Sequence, residues 1–190
     1  SGAIDNGGNV DVTLNGGTLN TTKTGSIALG SLAANGTSTI GVAIDAATGA
    51  NTVYDVAGAA SFASGSQVKV QLNQVGDAEG DYVIVRAGSL SGSPTLGTAT
   101  LLPYMFKGSV AGDAAAGTVT LSIAAKSVTD LGLTGSVAQA YSAIFNALDN
   151  DADIADTYLA IGDGETLNAN LRQMLPDHAG GTFEAVTSGS

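Results

Sequence analysis

The chain has no cysteine, no tryptophan and few charged residues. Without cysteine it can form neither a disulfide framework nor a thiolate metal site. The charged fraction is 12%, about half of that in a typical soluble domain. Six lysines and arginines against a net charge of −11 argue against binding to nucleic acid or to anionic lipid, which both need clustered basic residues. No apolar run is long enough for a helix that crosses a bilayer, so we expect no direct membrane insertion.

The residues that are abundant are glycine, small polar residues and branched apolar residues. This mixture favours a repetitive, mainly β protein that is displayed on a surface. The charge is distributed unevenly, because residues 1–128 hold 5 basic and 8 acidic residues, whereas residues 129–190 hold 1 and 9. The asymmetry indicates two different kinds of segment along the chain.

Four segments alternate branched apolar residues with small or polar ones, the pattern of a half-buried strand. They are 10–14, 40–44, 68–72 and 119–123, and the first three begin at nearly equal intervals. Shorter strands at 18–20, 26–29 and 52–56 would complete each repeat. Turns rich in Asn and Gly separate strands at this period, which is typical of the stacked coils of a β-solenoid. A β-sandwich or a stack of hairpins has the same local pattern and stays the alternative.

The solenoid hypothesis places the apolar residues of the first three alternating segments in one continuous core. These residues are Val10, Val12, Leu14, Ile40, Val42, Ile44, Val68, Val70 and Leu72.

Residues 76–126 differ from the repeats and are predicted to form a cap over the last coil. Segment 81–86 is apolar on both faces, which indicates a buried strand, and 87–92 is predicted to be a turn. The richest apolar and aromatic cluster follows at 101–106. The cap therefore concentrates large side chains, which are Tyr82, Ile84, Leu101, Tyr104, Met105 and Phe106.

Beyond residue 129 the apolar period becomes helical. One stripe combines Val137, Ala140, Tyr141, Ile144, Phe145 and Leu148, the spacing of an amphipathic helix. A second helix is predicted over 152–161, and a third over 166–175 with Thr166 as its cap and Pro176 as its end. The stripe is too apolar to face water, so it must pack on another helix, on the cap or on a second copy of the chain.

Candidate chemical groups are sparse. The single histidine, His178, follows Asp177, but no G-x-S-x-G nucleophile motif accompanies it, so we interpret the pair as a solvated turn. The acidic run Asp149, Asp151, Asp153 and Asp156 resembles the start of a calcium loop, yet Ile154 and Ala160 stand where that loop needs Gly and Glu. Cation binding by this cluster is left open. Asp163 and Glu165 are interpreted as acidic residues at a helix N-terminus.

Asp77, Glu79 and Asp81 could imitate the carboxylate pair of a glycosidase. Such a site needs two carboxylates on either side of a sugar groove, usually with aromatic platforms. Only Tyr82 is adjacent, and Tyr54, Phe62 and Tyr104 are interpreted as core residues. The sequence therefore predicts no catalytic residue, no cofactor site and no metal site, and no enzymatic activity.

Three features in this order resemble a known family: Thr/Asn/Gly-rich repeats, the segment GDYVIVRAG at 80–88 with predicted hairpins after it, and an acidic helical tail ending LRQMLPDHAGGTFEAV. Together they are similar to the C-terminal passenger and autochaperone region of Gram-negative autotransporters (type V secretion). The resemblance implies a right-handed parallel β-helix at 1–75, an autochaperone-like cap at 76–128, and an acidic helical linker at 129–190.

The same resemblance sets the functional expectations. The chain is expected to be a structural stalk and folding cap at the cell surface, cut from a longer protein, and its partner would be its own translocator β-barrel, which is absent here. Self-association through the helical tail is a further expectation. The alternatives are an adhesin-type binding module and a remnant of a β-helix hydrolase. Exposed Thr/Asn ladders would favour the former, and paired carboxylates in a groove the latter.

Overall fold

The computed structural model describes residues 10–98, 100–148 and 152–175. Eleven strands and then three helices follow one another in the described residues. The strands are β1 (Asp11–Asn15), β2 (Thr18–Leu19), β3 (Gly25–Leu29), β4 (Ser31–Asn35), β5 (Thr39–Asp45), β6 (Ala50–Phe62), β7 (Gln67–Leu72), β8 (Gly80–Ser91), β9 (Thr95–Leu96), β10 (Phe106–Asp113) and β11 (Thr118–Ala125). The helices are α1 (Gly135–Leu148), α2 (Ala152–Leu159) and α3 (Gly164–Gln173). The prediction of a mainly β protein with a few helices is confirmed.

All eleven strands belong to one mixed sheet. From β1 to β9 the pairing is mostly parallel, and each strand lies beside one that follows much later in the chain, as in the registers Asp11↔Ser31 and Tyr54↔Val85. Antiparallel pairing between sequential strands, which a hairpin stack would need, is confined to the end of β5 with the start of β6 and to the hairpin β10–β11. Parallel pairs with long connections therefore dominate the first half of the chain.

The spacing of the first two alternating segments does not correspond to strand pairing, whereas the spacing of the second and third does. β5 pairs with β7 in the register Ile40↔Val68, so these two segments are true neighbours. β1, however, pairs with β4 and not with β5, and β2 is the neighbour of β5. The reason is that the connection from β1 to β2 is short, so the chain returns beside β1 already at β4. Apolar alternation cannot distinguish between several candidate neighbours.

The predicted core residues of β5 and β7 are all buried, and those at the start of the chain are half-buried. Exposure is at most 4% for the residues Ile40, Val42, Ile44, Val68, Val70 and Leu72. Val10, Val12 and Leu14 pack against the same core but lie on or beside β1, which pairs on one side only among the described strands. Half-burial at this end is a consequence of that unpaired edge.

Glycines form a column where the chain bends within the sheet. The Gly58 amide donates a 2.8 Å hydrogen bond to the Gly30 carbonyl oxygen, and a Cβ on Gly88 would lie 2.7 Å from the oxygen of Ala57. Such close backbone approach requires glycine. Segment 87–92, predicted to be a turn, instead continues β8 to Ser91 alongside β6. The prediction was wrong because Gly88 serves close packing inside the ladder.

The hairpin β10–β11 ends the sheet. β11 pairs antiparallel with β8, and β10 passes over the last parallel strands. A Cβ on Gly108 would lie 3.0 Å from Leu96, and one on Gly112 would lie 3.0 Å from Ser93. The glycines of β10 thus let the hairpin lie close against this end of the sheet.

The three helices form close to the predicted positions. α1 buries Val137, Tyr141, Ile144 and Leu148, so most of the predicted stripe is confirmed as its buried face. α3 begins at Gly164, and its N-cap is Asp163 rather than Thr166. The Asp163 carboxylate is the acceptor for the Thr166 amide, whereas the Thr166 hydroxyl donates to the same carboxylate, which explains the correction. Pro176 lies outside the described residues.

Candidate functional site

The sequence predicted a cap over the last coil, and we keep the name cap for β8, the loop 101–105 and the hairpin β10–β11. Most of its large side chains belong to the hydrophobic core, since Ile84, Met105 and Phe106 are at most 3% exposed and Tyr82 is 7% exposed. Leu101 is the exception, with 57% of its surface exposed. Leu101 forms an isolated parallel β-bridge with Gln71. Its side chain therefore points outward, as does that of the exposed Gln71. The prediction that Leu101 belongs to the cap core was wrong.

Two carboxylates that were weighed as glycosidase candidates connect β8 to β11. Glu79 Oε1 accepts a 2.7 Å hydrogen bond from the Ala125 amide, and Asp81 Oδ1 accepts one of 2.5 Å from the Ser122 hydroxyl. Asp77 is exposed and has a φ of 56°. Glu79 and Asp81 therefore hold the hairpin in register. Sequence reasoning missed this role, because their partners are 46 and 41 residues away.

Tyr82 is fixed beneath the loop that precedes β8. Its hydroxyl donates to the Ala78 carbonyl oxygen over 3.0 Å. Burial, and secondarily the charge of Asp77, raises the pKa of the Tyr82 hydroxyl. A neutral phenol that donates to a backbone carbonyl is a structural group, so Tyr82 supports the cap.

The helices are attached to the cap by several different contacts. The Phe106 and Phe145 rings meet edge to face with 5.7 Å between centroids, and the Tyr104 amide donates to the Ile161 carbonyl oxygen over 2.8 Å. Lys126 Nζ lies 3.8 Å from the centroid of the Tyr104 ring. The parallel strands, the cap and the helices consequently share one hydrophobic core.

Tyr141 lies where α1 meets the cap. The side chain is 5% exposed, and its hydroxyl oxygen has no hydrogen-bond partner among the described residues. Burial raises the pKa of Tyr141 to about 12, and the charge of Glu79 acts in the same direction. The Tyr141 hydroxyl and the charge of Glu79 are therefore polar groups in a contact between α1 and the cap that is otherwise apolar.

Polar side chains form short ladders along the parallel strands. Asn35 Nδ2 donates to Asn15 Oδ1 over 3.0 Å, and Asn73 Nδ2 donates to Asp45 Oδ1 over 2.8 Å. The Asn73 side chain, and then Thr48, lowers the pKa of Asp45 by hydrogen bonding. Asp45 ends β5 and Asn73 follows β7, so this bond joins the ends of two adjacent strands.

A surface recess of about 200 Å³ lies beside the second ladder. It is lined by Thr22, Thr24, Ala43, Ile44, Asp45, Gln71 and Asn73. Asp45 and Asn73 already bond to each other, and Asn73 Oδ1 also accepts from the Ala46 amide over 2.9 Å. The two most polar groups of the recess are thus engaged in the fold.

The predicted aromatic core residues are buried. Tyr54 is inaccessible and donates to the Gly41 carbonyl oxygen over 2.7 Å, and Phe62 is 5% exposed. Burial raises the pKa of Tyr54 far above its usual range. Neither ring can serve as a sugar platform, and Tyr104 is half-buried beneath Lys126.

The remaining candidates are not brought together. His178, Asp177, Asp149 and Asp151 lie outside the described residues, as does the side chain of Asp153 in α2, while Asp156 is exposed. Within the described part of the chain, no three His, Asp or Glu side chains are grouped so that they could hold a metal ion.

No protein-family model, no curated protein and no solved structure matches this chain. Among the helices that the structure describes, none is long and apolar enough to cross a membrane.

Proposed function

We propose that this chain is a right-handed parallel β-helix that acts as the stalk and folding cap of a surface-displayed autotransporter passenger. The observation that carries this proposal is the repeated parallel register. β4, β6 and β8 lie side by side at a nearly constant offset along the chain, as in Leu32↔Ala60 and Ala60↔Leu90. Parallel strands in one sheet that are joined by long connections almost always have a right-handed crossover. This rule supports the right-handed sense of the proposed β-helix.

The change in pairing at the end of the repeats supports a terminal cap. The parallel registers end at β8 and β9, and beyond them the hairpin β10–β11 adds antiparallel strands. Repeat folds need an atypical terminal unit, because the last coil would otherwise expose its core and its open ladder. The glycine contacts of β10 with Leu96 and Ser93 fit this role.

The local pairing of the hairpin β10–β11 favours folding that begins in the cap. A single coil buries little surface before its neighbour forms, so the first coil is unfavourable by itself. Within the cap, the hairpin β10–β11 pairs strands that are close along the chain, and Ile84, Met105 and Phe106 each contribute roughly 1.5–3 kcal/mol on burial. We therefore propose that folding starts in 76–126 and proceeds toward the N-terminus.

The cellular part of the proposal rests on the resemblance in sequence and on composition. A chain without cysteine and with little charge suits export through a membrane in an unfolded state. Its partner would be the translocator β-barrel of the same protein, and its location the outer surface of a Gram-negative cell. Self-association through the helical tail was expected because of the apolar stripe of α1. Most of that stripe is buried within the chain, so self-association is not part of this proposal.

Hydrogen exchange and surface display test the folding cap together. The Ile84→Ala variant should lose about 2–5 kcal/mol of stability and the Phe106→Ala variant about 3–5 kcal/mol, and both should be displayed at a lower level. Val12→Ala, at the half-buried end of the chain, is the matched control and should be displayed normally. The proposal fails if amides in 10–60 exchange more slowly than those of the cap, or if both cap variants are displayed like the wild type.

A second candidate function is an adhesin-type binding module, which the exposed polar ladders favour. Asn15, Asn35 and Asn73 are exposed and present amide groups at the ends of parallel strands. Carbohydrate-array binding by the wild-type chain, lost in Asn35→Ala or Asn73→Ala, would support it. Equal binding by the wild type and both variants would remove the ladders from this role.

A further inference from the structure

Two Asn-Gly pairs lie side by side at the ends of adjacent strands. Asn15-Gly16 ends β1 and Asn35-Gly36 ends β4, and the two asparagines are paired in register. All four residues are exposed, and both glycines have a positive φ, 75° at Gly16 and 61° at Gly36. A third pair, at residues 6–7, lies outside the described residues.

An Asn-Gly pair can modify itself with water as the only co-reactant. The glycine nitrogen, after losing its proton, attacks Cγ of the asparagine, so that an N–Cγ bond forms and the Cγ–Nδ2 bond breaks with release of ammonia. Water then opens the cyclic imide at either carbonyl and leaves aspartate or isoaspartate. Glycine allows this reaction because no Cβ shields its nitrogen. Each event adds one negative charge.

The hydrogen bonds of the two glycine nitrogens differ. The Gly16 amide donates to Ser38 Oγ over 2.9 Å and to the Asn35 carbonyl oxygen over 3.3 Å. The Gly36 amide makes no hydrogen bond among the described residues, and Gly36 lies in the turn that follows β4. The nitrogen of Gly16 is thus held in the ladder and directed away from its own side chain, whereas that of Gly36 is free to react.

We infer that Asn35 is a site of spontaneous deamidation in the folded protein and that Asn15 is protected. One effect opposes this order, because Asn15 Oδ1 accepts the 3.0 Å bond from Asn35 and its amide carbon is thereby made more electrophilic. Availability of the glycine nitrogen decides the outcome, since Gly16 can attack only after leaving two hydrogen bonds. The inference is independent of the proposed function.

The two products have different consequences for the sheet. Aspartate at position 35 can keep the ladder, because the Asn15 amide can turn and donate to the new carboxylate. Isoaspartate lengthens the backbone by one methylene at the position where Gly16 bonds to Asn35. It therefore disrupts the pairing of β1 with β4.

Tandem mass spectrometry of the folded chain, kept at mildly alkaline pH and compared with the same chain in urea, tests the inference. In urea Asn15 and Asn35 should react at similar rates, while in the folded protein Asn35 should react severalfold faster than Asn15. Asn35→Gln should abolish modification at that position and leave Asn15 slow. Ser38→Ala, which removes an acceptor of the Gly16 amide, should accelerate Asn15. Equal rates at the two sites in the folded chain would overturn the inference, as would no reaction at Asn35.

Discussion

The ring of Phe145 on α1 meets the ring of Phe106 at the start of β10 edge to face, with 5.7 Å between their centroids. Phe106 is 3% exposed, and Phe145 is half-buried. The pair joins the helical segment to the cap at a position where each side would otherwise expose apolar surface. The segment 129–190 was expected to form a linker, and among its described residues α1 packs on the cap.

Replacing these two rings should give different losses of stability. Phe106→Ala should cost about 3–5 kcal/mol, since it opens a cavity in the core, and Phe145→Ala should cost less because that ring is already half in water. Their coupling in a double-mutant cycle should be about 0.5–1.5 kcal/mol. Urea unfolding of the three variants measures both quantities. Strictly additive losses would show that the edge-to-face contact contributes nothing beyond burial.

Alanine substitution at two glycines with nearly the same φ can distinguish the strain of the backbone conformation from a steric clash of the added Cβ. Gly117 (φ 67°) and Gly132 (φ 66°) both lie in the left-handed region, but a Cβ on Gly117 would lie 2.3 Å from the Ala87 oxygen, whereas nothing lies within 4 Å at Gly132. Gly132→Ala should cost about 1–2 kcal/mol, the ordinary penalty of that conformation. Gly117→Ala should cost clearly more and weaken the contact of the hairpin with β8. Thermal unfolding of the two variants compares them directly, and equal losses would refute a steric role for Gly117.

The sequence was sufficient for local structure and insufficient for pairing. Alternation in 40–44 and 68–72 located β5 and β7, and the stripe from Val137 to Leu148 located α1, because apolar periodicity reflects which face is buried. Periodicity contains no information about which strands are neighbours, so it could not show that β1 pairs with β4. The same limit explains why Glu79 and Asp81 were considered as catalytic groups: their bonds to β11 depend on a tertiary register. Asp163 was correctly placed at a helix N-terminus, but Thr166 was predicted to be the cap because Asp and Thr are both favoured there.

Thr52 of β6 tests the importance of a buried hydroxyl that bonds to backbone groups of two other segments. It is inaccessible, its hydroxyl donates to the Lys23 carbonyl oxygen over 2.6 Å, and it accepts from the Ala43 amide over 3.0 Å. Thr52→Val keeps the shape of the side chain and leaves two backbone groups without their partner, a loss of about 1–3 kcal/mol. Thr18→Val, at an exposed strand position, should be nearly neutral. A neutral Thr52→Val in urea unfolding would mean that Lys23 and Ala43 find other partners.

Asp163 should make the helical segment sensitive to acid. The Thr166 backbone amide and then its hydroxyl lower the pKa of the Asp163 carboxyl, because they bond to the charged form. A group whose pKa is lower in the folded than in the unfolded state contributes stability above the unfolded pKa, and that contribution disappears as the pH falls through the folded pKa. The helical signal in far-UV circular dichroism should therefore weaken below the ordinary aspartate range.

Asp163→Asn is the matched variant for this prediction. Asparagine accepts the same amide hydrogen bond and does not titrate, so α3 should form at neutral pH and lose the part of the acid dependence that belongs to position 163. Asp163→Ala removes the cap and should weaken α3 at every pH. The Thr166 amide chemical shift, followed by NMR through an acid titration, reports the group directly. If that shift shows the same midpoint in the wild type and in Asp163→Asn, another carboxylate controls the transition, and the assignment to Asp163 is wrong.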